Sequence, residues 1–559
     1  MSDNLKPYAA PNLPTLKRGE HIARMQGETF DLAVIGGGIT GAGIALDARS
    51  RGISVALVEK SDFASGTSSR SSKLIHGGLR YLEHLEFSLV REALRERETL
   101  SRLAPHLSRR LAFLVPVYKR GRRSPLGSNK LKLRLGLTLY DLLAGRRRLG
   151  RHRWLARDEA LELAPALDAQ GLRGAFLYYD CLTDDARLVV EVIKAAAAMG
   201  AVVANYAAAR QIERLDDDSY RIEVEDLATD QTVALRARVV VNATGVWADT
   251  VARLSDQGAA RRLRPSKGIH IVVPSEKLNN RAAVLIPSMG EQRFLFVIPW
   301  LGRTLIGTTD TDYDGEIDDP TATLEEASRV LQSAARMFPA ANLSATDCIS
   351  AFAGLRPLVG GDGASTAKLS RKEELFESES GVITIIGGKL TTYRLMAERA
   401  VDRVARKLEN KSRMNKSKSR MNRRSLTEQI ELAGGRLERG TRSEAEQAAS
   451  AYGVSADTAI HLIETYGGNF RAVLEIASES EELKRPLAAD LPHIEAEVIY
   501  AARAEMARTV EDFLARRTRI ALLAPDHGRS CAARVAALMG RELGWSSAEA
   551  QKALAGLSL

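Results

Sequence analysis

The chain has 559 residues, of which 45% are hydrophobic and 27% are charged, with 43 glycines and 17 prolines. This composition is typical of a folded protein of several domains, and it excludes a fibrous repeat and wholesale disorder. The cysteines, Cys181, Cys348 and Cys531, are too few and too far apart for a disulfide framework or a CxxC-type metal site. We therefore expect a reducing compartment and no metal.

The net charge of +10 is concentrated in two segments. Residues 119–153 carry +11 and residues 406–424 carry +8, which leaves −9 on the rest of the chain. The second segment is rich in Ser, Lys, Arg and Asn, so we interpret it as a flexible basic linker. The sequence contains no apolar run long enough to span a bilayer and no secretory signal, which indicates a cytoplasmic protein.

A glycine-rich turn follows a leader of residues 1–29. In FDLAVIGGGITGAG, residues 30–43, an apolar strand leads into Gly36-x-Gly38-x-x-Gly41, and a helical pattern continues from there. Glycine at these three positions allows a tight turn, close approach of backbone to a pyrophosphate, and close packing of helix on strand. The helix N-terminus would then face the phosphates. This pattern predicts a dinucleotide site.

The next apolar strand, residues 53–60, contains Glu59, which lies 18 residues after Gly41. A carboxylate at this place can bridge the hydroxyls of a ribose and would repel a 2′-phosphate. Two later strand-plus-glycine segments, residues 236–245 and 382–400, return to the nucleotide domain, which suits a long cofactor. Because the sequence has no second GxGxxG, FAD is favoured over NAD.

Two further segments have ambiguous local patterns. In LTDDARL, Asp184 and Asp185 have two possible interpretations. They are a catalytic carboxylate pair, or they are a helix N-cap followed by an acidic first turn, which explains them equally well. In residues 131–143, leucines alternate as in a strand but also align on one helical face.

Several long motifs resemble the FAD-dependent, quinone-linked glycerol-3-phosphate dehydrogenases. They are SSKLIHGGLRYLEHLEF (71–87), YYDCLTDDARLVVE (178–191), SKGIHIVVP (266–274), FLFVIPWLGRTLIGTTD (294–310), AFAGLRPL (351–358) and GGKLTTYR (387–394). The resemblance implies oxidation of sn-glycerol 3-phosphate to dihydroxyacetone phosphate, by hydride transfer from C2 to flavin N5, with electrons passed to a membrane quinone. It also implies an α/β fold with a Rossmann-like FAD-binding domain of the glutathione-reductase/D-amino-acid-oxidase type, a mixed-sheet substrate domain and an all-α C-terminal domain.

The domain boundaries expected on this basis are discontinuous. We expect the FAD-binding domain at residues 30–95, 176–250 and 345–405. The substrate or cap region would take residues 96–175 and 251–344 and would include the basic segment 119–153. After the linker at residues 406–424, the helical C-terminal domain would occupy residues 425–559.

The resemblance also assigns roles to individual residues. His270 is the best candidate for the base, since an imidazole with a pKa near 6.5 can accept a hydroxyl proton at neutral pH. Arg356 would lie near the reacting carbon, and which of the two is the general base stays open. The expected substrate-binding residues are Arg80, Tyr81, Arg371 and Lys389. Because Arg371 is followed by Lys372-Glu373 rather than the pattern of the relatives, Lys372 is an alternative phosphate contact.

We expect Lys389 and Thr391 against the pyrimidine edge of the flavin and His76 as a wall of the cofactor site. The expected cofactor-binding residues, all in or beside glycine turns and the motifs above, are Gly36, Gly38, Gly41, Glu59, Ser72, His76, Gly245, Gly388, Lys389 and Thr391.

The expected partners are sn-glycerol 3-phosphate and a quinone, with segment 119–153 as an amphipathic helix, as in the relatives, on the inner face of the plasma membrane. A homodimer is implied only by analogy. One alternative is an oxidase that passes electrons to oxygen. Another is a non-catalytic flavoprotein that binds nucleic acid, which is disfavoured because aromatic residues make up only 5% of the chain and are not interleaved with the basic residues.

Overall fold

The computed structural model describes residues 16–119, 124–126, 129–289, 293–360, 373–414, 424–435, 437, 441–555 and 557. The strands in chain order are β1 Thr29–Ile35, β2 Val55–Val58, β3 Leu74–Ile75, β4 Arg109–Tyr118, β5 Arg153–Leu155, β6 Leu172–Leu182, β7 Val202–Ala204, β8 Ala207–Arg214, β9 Tyr220–Asp226, β10 Gln231–Asn242, β11 Leu263–Pro274, β12 Ala283–Pro287, β13 Phe294–Trp300, β14 Arg303–Gly307, β15 Thr311–Asp312, β16 Ser350–Val359, β17 Glu374–Glu377 and β18 Ile383–Ile386.

Short 3₁₀ turns connect many of the elements. The α-helices in chain order are α1 Arg18–Gly27, α2 Ile39–Ser50, α3 Phe87–Leu103, α4 Lys130–Ala144, α5 Arg157–Leu163, α6 Asp185–Ala198, α7 Ala248–Ala252, α8 Leu324–Met337, α9 Tyr393–Met414, α10 Thr441–Tyr452, α11 Ala456–Tyr466, α12 Phe470–Ala477, α13 Ala496–Ala504, α14 Ile520–Leu523, α15 Arg529–Leu543 and α16 Ser547–Ala555.

The first sheet has the strand order β17-β18-β10-β1-β2-β7, and β9 and β8 extend it from β10. Strand β1 lies at its centre and runs parallel to both β10 and β2. Helices α2, α6 and α9 pack together over one face. Helix α1 and the strands β8 and β9 share a core on the other side. Burial on both faces explains why β1 and β2 are continuous apolar runs rather than alternating ones.

The second sheet has the order β15-β11-β14-β13-β12-β4-β6-β3, with β16 paired to β11 and β5 paired to β6. Strand β11 lies between β14 and β16 and is antiparallel to both. In this register His270 lies opposite Gly307 on one side and Phe352 on the other, and Ser266 lies opposite Arg356. The pairing therefore brings residues that are distant in sequence to one end of the two sheets.

The C-terminal helices, α10 to α16, form a helical region whose apolar core is continuous with residues of the second sheet. A π-helical turn at Asp512–Arg517 attaches this region to the rest of the molecule. There Arg516 and Arg517 donate to the buried carboxylate of Asp62, which follows β2. These observations confirm the predicted mixed α/β fold with a helical C-terminal part. Among the helices of the described ranges, none is both long enough and apolar enough to cross a membrane.

The predicted flexible linker is wrong over its first part. Helix α9 continues to Met414, because Val401, Val404 and Leu408 recur at helical spacing and are buried against the first sheet and α2. Residues 415–423 of that segment lie outside the described residues. Within the expected leader, residues 18–27 form α1, and Arg18 forms a buried ion pair with Asp226 of β9.

Candidate active site

The glycine turn after β1 leaves no room for side chains. A Cβ atom on Gly41 would lie 1.9 Å from the carbonyl oxygen of Gly36, and one on Gly38 would lie 3.1 Å from Ser68 Oγ. Gly36 has a φ of +112°, which L-residues with side chains rarely adopt. Helix α2 begins directly after this turn, at Ile39. The turn therefore presents bare backbone and a helix N-terminus to the space in front of it, as an anionic diphosphate requires.

That space is a cavity of about 550 Å³. We call it the nucleotide cavity; its lining includes these members of the predicted set: Gly36, Gly38, Glu59, Gly245, Gly388 and Lys389. The carboxylate of Glu59 accepts hydrogen bonds from the backbone N–H of Gly37 at 2.6 Å and of Ser61 at 2.9 Å. Burial raises the pKa of Glu59. The carboxylate is thus fixed at the end of β2, where it was expected to meet a ribose.

A second cavity, of about 670 Å³, adjoins the first and is here named the reaction cavity. Both cavities are lined by Thr67, Ser71, Lys389 and Leu390, so together they form one elongated space. The reaction cavity is also lined by the predicted residues Ser72, His76, Tyr81, His270, Arg356 and Thr391. The fold thus brings together segments from four parts of the sequence.

His270 projects from β11 and is only 2% exposed. Its Nε2 lies 2.9 Å from Ser72 Oγ, and its ring stacks on Phe352 with a centroid separation of 5.0 Å. A Cβ at Gly307 would lie 2.3 Å from its ring, so the neighbouring strand needs glycine there. Burial, with smaller contributions from the charges of Lys73 and Arg356, lowers the pKa of His270 well below its ordinary value. The expectation of a pKa near 6.5 is therefore wrong, and the imidazole is neutral at neutral pH.

His76, the rival histidine, lines the reaction cavity. Its backbone N–H donates to Thr391 Oγ1 at 3.2 Å, which ties the loop of residues 76–78 to the turn that precedes α9. Next to it, Lys389 Nζ lies 3.7 Å from the centre of the Tyr81 ring. The structure thus places His76, Tyr81, Lys389 and Thr391 side by side, as the motifs suggested.

Arg356 is held in place by several partners. It donates to Asp310 Oδ1 at 3.1 Å, to Thr308 Oγ1 at 3.1 Å and to the carbonyl oxygen of Thr309 at 2.9 Å. Asp310 also forms an ion pair with Arg293, a second cation of the reaction cavity. Two guanidinium groups therefore share the carboxylate of Asp310 at this wall. The side chain of Arg80, and Arg371 and Lys372, lie outside the described residues.

Sequence reasoning missed Arg293, Asp310 and Arg70, which all line the reaction cavity. Arg293 precedes the quoted motif FLFVIPWLGRTLIGTTD by one residue, and Asp310 is the last residue of that motif. The sequence offers one signal for this ion pair: the motif has an arginine, Arg293, directly before its start and an aspartate, Asp310, at its end. Arg70 donates to the carbonyl oxygens of Pro320 and Ala353, both at 3.4 Å, and so joins two distant loops.

Comparison with known proteins identifies this arrangement. Residues 31–394 match the family of FAD dependent oxidoreductases, and residues 425–550 match the C-terminal domain of alpha-glycerophosphate oxidase. The chain belongs to the FAD-dependent glycerol-3-phosphate dehydrogenase/oxidase family. Family members thus share the two matched regions, and FAD is the cofactor.

Individual relatives cover nearly the whole chain. It is 39% identical over 554 residues to "Glycerol-3-phosphate dehydrogenase 2" of Mycobacterium bovis, covering 99% of this chain and 92% of that protein. It is 38% identical to "Aerobic glycerol-3-phosphate dehydrogenase" of Staphylococcus epidermidis, covering 91% and 90%. A crystal structure of the glycerol-3-phosphate dehydrogenase from Bacillus halodurans complexed with FAD superposes with a TM-score of 0.79 at 34% identity, covering 97% of this chain and 96% of that one.

The residues of the two cavities fit FAD. The Gly36–Gly41 contact admits no side chain and leaves backbone donors at the helix N-terminus for a diphosphate. Glu59 lies at the end of β2, where the ribose is held in such folds. The elongated shape of the joined cavities suits a cofactor with a nucleotide at one end and a ring system at the other.

Proposed function

We propose that the protein oxidises sn-glycerol 3-phosphate to dihydroxyacetone phosphate in the reaction cavity and passes the electrons to a membrane quinone. The observation that carries this proposal is the meeting of a buried neutral histidine, His270, with the cations Arg293, Arg356 and Lys389 in one cavity. A phosphate ester with a secondary alcohol needs both features. The names of the relatives point to the same substrate.

His270 is the proton acceptor for the C2 hydroxyl. One ring nitrogen of a neutral imidazole carries a lone pair that can accept a proton. The contact between Ser72 Oγ and His270 Nε2 fixes the orientation of the ring. Arg356 cannot act as the base, because a guanidinium is not deprotonated in proteins. Its role is electrostatic: it stabilises the negative charge that develops on the substrate oxygen as the carbonyl forms. This assignment separates the two roles that the sequence alone left open.

The phosphate group is bound by cations of the reaction cavity. Arg293 and Arg356 share Asp310 and bring two planar guanidinium groups to the cavity, whose N–H donors suit phosphate oxygens. The resemblance implies further phosphate contacts from Arg80, Tyr81 and either Arg371 or Lys372. FAD, when bound, supplies the acceptor for the C2 hydride. Lys389 lies where the two cavities join, and Thr391 and His76 line the reaction cavity beside it, so these three residues hold the ring end of FAD.

Helix α4 supports docking on a membrane. Leu133, Leu137 and Tyr140 face the protein core. On the outside, three leucines that we call the outer leucine face are 65%, 61% and 71% exposed: Leu131, Leu135 and Leu142. The helix, ambiguous from periodicity, is confirmed, and it carries the exposed cations Lys130, Lys132 and Arg134. An apolar face flanked by cations binds the interface of an anionic bilayer, where quinone is dissolved.

The inner side of α4 is connected to the reaction cavity. Tyr140 donates to the carboxylate of Asp180 at 2.8 Å and accepts from the backbone N–H of Gly77 at 3.0 Å. Gly77 follows His76, a wall of that cavity. The proposed membrane-facing helix is therefore one hydrogen bond away from the loop at the ring end of the cofactor site, which suits electron transfer to a membrane acceptor.

The test is an anaerobic spectrum of the FAD-loaded protein. We expect glycerol 3-phosphate, but not glycerol, to bleach the flavin absorbance, and a water-soluble quinone to restore it faster than air. In Arg356→Met, with FAD still bound, bleaching should be slower by about 100-fold or more, as for the loss of an oxyanion-stabilising donor. Equal bleaching by glycerol would contradict the proposed substrate. Faster recovery in air, with hydrogen peroxide formed, would assign the protein as an oxidase.

A further inference from the structure

A third cavity lies between the C-terminal helices and the rest of the molecule, with a volume of about 600 Å³. Among the described residues, its lining shares no member with the nucleotide or reaction cavities. We call it the interdomain cavity. The body contributes Arg187 and Arg303 to its wall, and the helical region contributes Thr458, His461 and His493. Nothing in the proposed reaction uses this space.

One wall of the interdomain cavity carries a cluster of two imidazoles and a carboxylate. His461 lies on α11, His493 lies just before α13, and Glu497 lies in the first turn of α13. One ligand atom from each of them lies within 4.8 Å of the other two. Glu497 Oε2 is 3.0 Å from His461 Nε2 and 3.4 Å from His493 Nδ1. Two ligands at 2.0–2.1 Å from a tetrahedral zinc ion would be about 3.3 Å apart, which matches these separations.

Hydrogen bonding alone does not account for the cluster. Three polar atoms converge on the single oxygen Glu497 Oε2: the two histidine nitrogens and the hydroxyl of Tyr466, at 3.0 Å. A carboxylate oxygen offers two lone-pair sites; if both imidazole nitrogens donated, the three donors would exceed this number, and a nitrogen that does not donate would turn its lone pair toward the carboxylate. A cation between the two imidazoles and the carboxylate removes this conflict, since both nitrogens then donate their lone pairs to the metal and Tyr466 keeps its hydrogen bond.

The surroundings orient the three groups as metal ligands are usually oriented. The other ring nitrogen of His461, Nδ1, is 3.3 Å from Thr465 Oγ1, and the other oxygen of Glu497 accepts from the backbone N–H of Ile494 at 2.9 Å. Such outer partners fix the tautomer and the direction of a ligand. The nearby cation Arg187 and the buried Lys194 share two buried carboxylates, Glu191 and Glu505, so these two cations are balanced by two anions.

We propose that His461, His493 and Glu497 bind one divalent transition-metal ion, for which the ligand types favour zinc, with the remaining coordination position on the side of the interdomain cavity. The ion connects α11 to α13 across a chain separation of 36 residues. Water or a small anion in the cavity completes its coordination. The sequence analysis excluded a metal on the basis of cysteines, whereas these ligands are imidazole and carboxylate groups.

The test uses the full-length, FAD-loaded protein. It is incubated with zinc sulfate, desalted, and analysed for metal by mass spectrometry and for FAD by absorbance. We expect one zinc per chain in the wild type and an affinity loss of more than about 100-fold in Glu497→Gln, a larger effect than that of removing an outer partner. Glu497→Gln has nearly the same shape but only one acceptor oxygen, so its FAD content is measured beside its metal content to separate loss of the metal from loss of the fold. His527→Ala, also in the helical region, is the control and should keep its zinc.

Cobalt provides an independent readout that does not depend on the variants. Replacement of zinc by Co²⁺ should give the intense visible bands of a tetrahedral site in the wild type and not in Glu497→Gln, with the FAD content and far-ultraviolet circular dichroism of both proteins equal. The proposal is overturned if the wild type binds no more zinc than Glu497→Gln, or if Co²⁺ gives only the weak spectrum of the hydrated ion. In either of these cases the cluster is a hydrogen-bond network.

Discussion

Removal of the Asp62 carboxylate should weaken the attachment of the helical region to the body of the molecule. Asp62 is fully buried and accepts four hydrogen bonds: from Arg516 Nε at 2.8 Å, Arg517 Nη1 at 2.7 Å, Arg517 Nη2 at 3.0 Å and Asn205 Nδ2 at 3.1 Å. In Asp62→Ala the two guanidinium groups stay buried, but they lose this partner. Removing one member of a buried ion pair costs about 3–5 kcal/mol of unfolding free energy.

The structure sets an upper limit on the loss of unfolding free energy in Asp62→Ala. Hydrogen bonds to charged groups contribute about 1.5–3 kcal/mol each, so four of them would suggest a larger loss. However, Arg516 keeps Asp512 at 2.6 Å, and Arg517 keeps the carbonyl oxygen of Glu505 at 2.8 Å. Both cations therefore remain partly compensated, and we expect the loss to stay within the range for a broken buried pair.

The assay is urea unfolding of the FAD-loaded proteins at pH 7 with a fixed excess of FAD, followed by far-ultraviolet circular dichroism. Glu20→Ala is the control, because its pair with Lys17 is 66% and 62% exposed and is expected to contribute less than about 1 kcal/mol. Burial alone would raise the pKa of Asp62, but the charges of Arg517 and Arg516 outweigh burial and lower this pKa in the folded state. The contribution is therefore present above the unfolded pKa of about 3.9 and is lost only as the pH falls through the lower, folded pKa. An Asp62→Ala loss no larger than that of the control would refute the reasoning.

Three further changes test the sites. Gly41→Ala places a Cβ atom 1.9 Å from a backbone oxygen, so the purified variant should lack FAD. The control Gly19→Ala, whose Cβ would have nothing within 4 Å, should retain FAD. Equal FAD content in the two variants would disprove the steric argument. Because the proposed base, His270, must be neutral to accept a proton, the wild-type rate should fall with decreasing pH only well below the ordinary histidine pKa of about 6.5. His270→Gln should reduce the turnover rate by about 10²–10⁴-fold. An unchanged rate in this variant would show that another residue is the base. Replacing the outer leucine face with serines should abolish co-sedimentation with anionic vesicles, whereas Leu324→Ser, at a 92% exposed site, should not; retained sedimentation would exclude α4 as the contact.

The elements predicted best are those whose geometry is encoded locally. In the turn after β1, a Cβ atom on Gly41 would lie 1.9 Å from the carbonyl oxygen of Gly36, five residues earlier, so this part of the glycine pattern is visible in the local sequence. The same holds for the N-cap interpretation of Asp184, whose side chain accepts from the backbone N–H of Arg187 at 3.1 Å at the start of α6. Alternating leucines in residues 131–143 left strand and helix open, because the helix has apolar residues on both its inner and its outer side.

Long-range electrostatics could not be predicted in this way. Asp62 and its partner Arg516 are separated by 454 residues, and no periodic pattern connects them. The expected pKa of His270 was wrong for the same reason: its environment is created by strand pairing with β14 and β16, which is absent from the local sequence. The linker prediction overlooked the apolar positions of α9 because basic residues dominate its composition.

The buried charges also connect the helical region to the proposed base. Arg519 donates to Asp185 at 2.5 Å, and Asp185 in turn binds Lys73 Nζ at 2.9 Å and accepts from Ser71 Oγ at 2.6 Å. Ser71 and Lys73 flank the serine that contacts the ring of His270. Because the charge of Lys73 adds to burial in lowering the pKa of His270, the position of Lys73 matters to the proton acceptor. Arg519 therefore does more than stabilise the contact between the helical region and the body. It holds the carboxylate of Asp185, which fixes Ser71 and the charge of Lys73 beside the proposed base, His270. This connection explains why the helical region and the body form one folded unit.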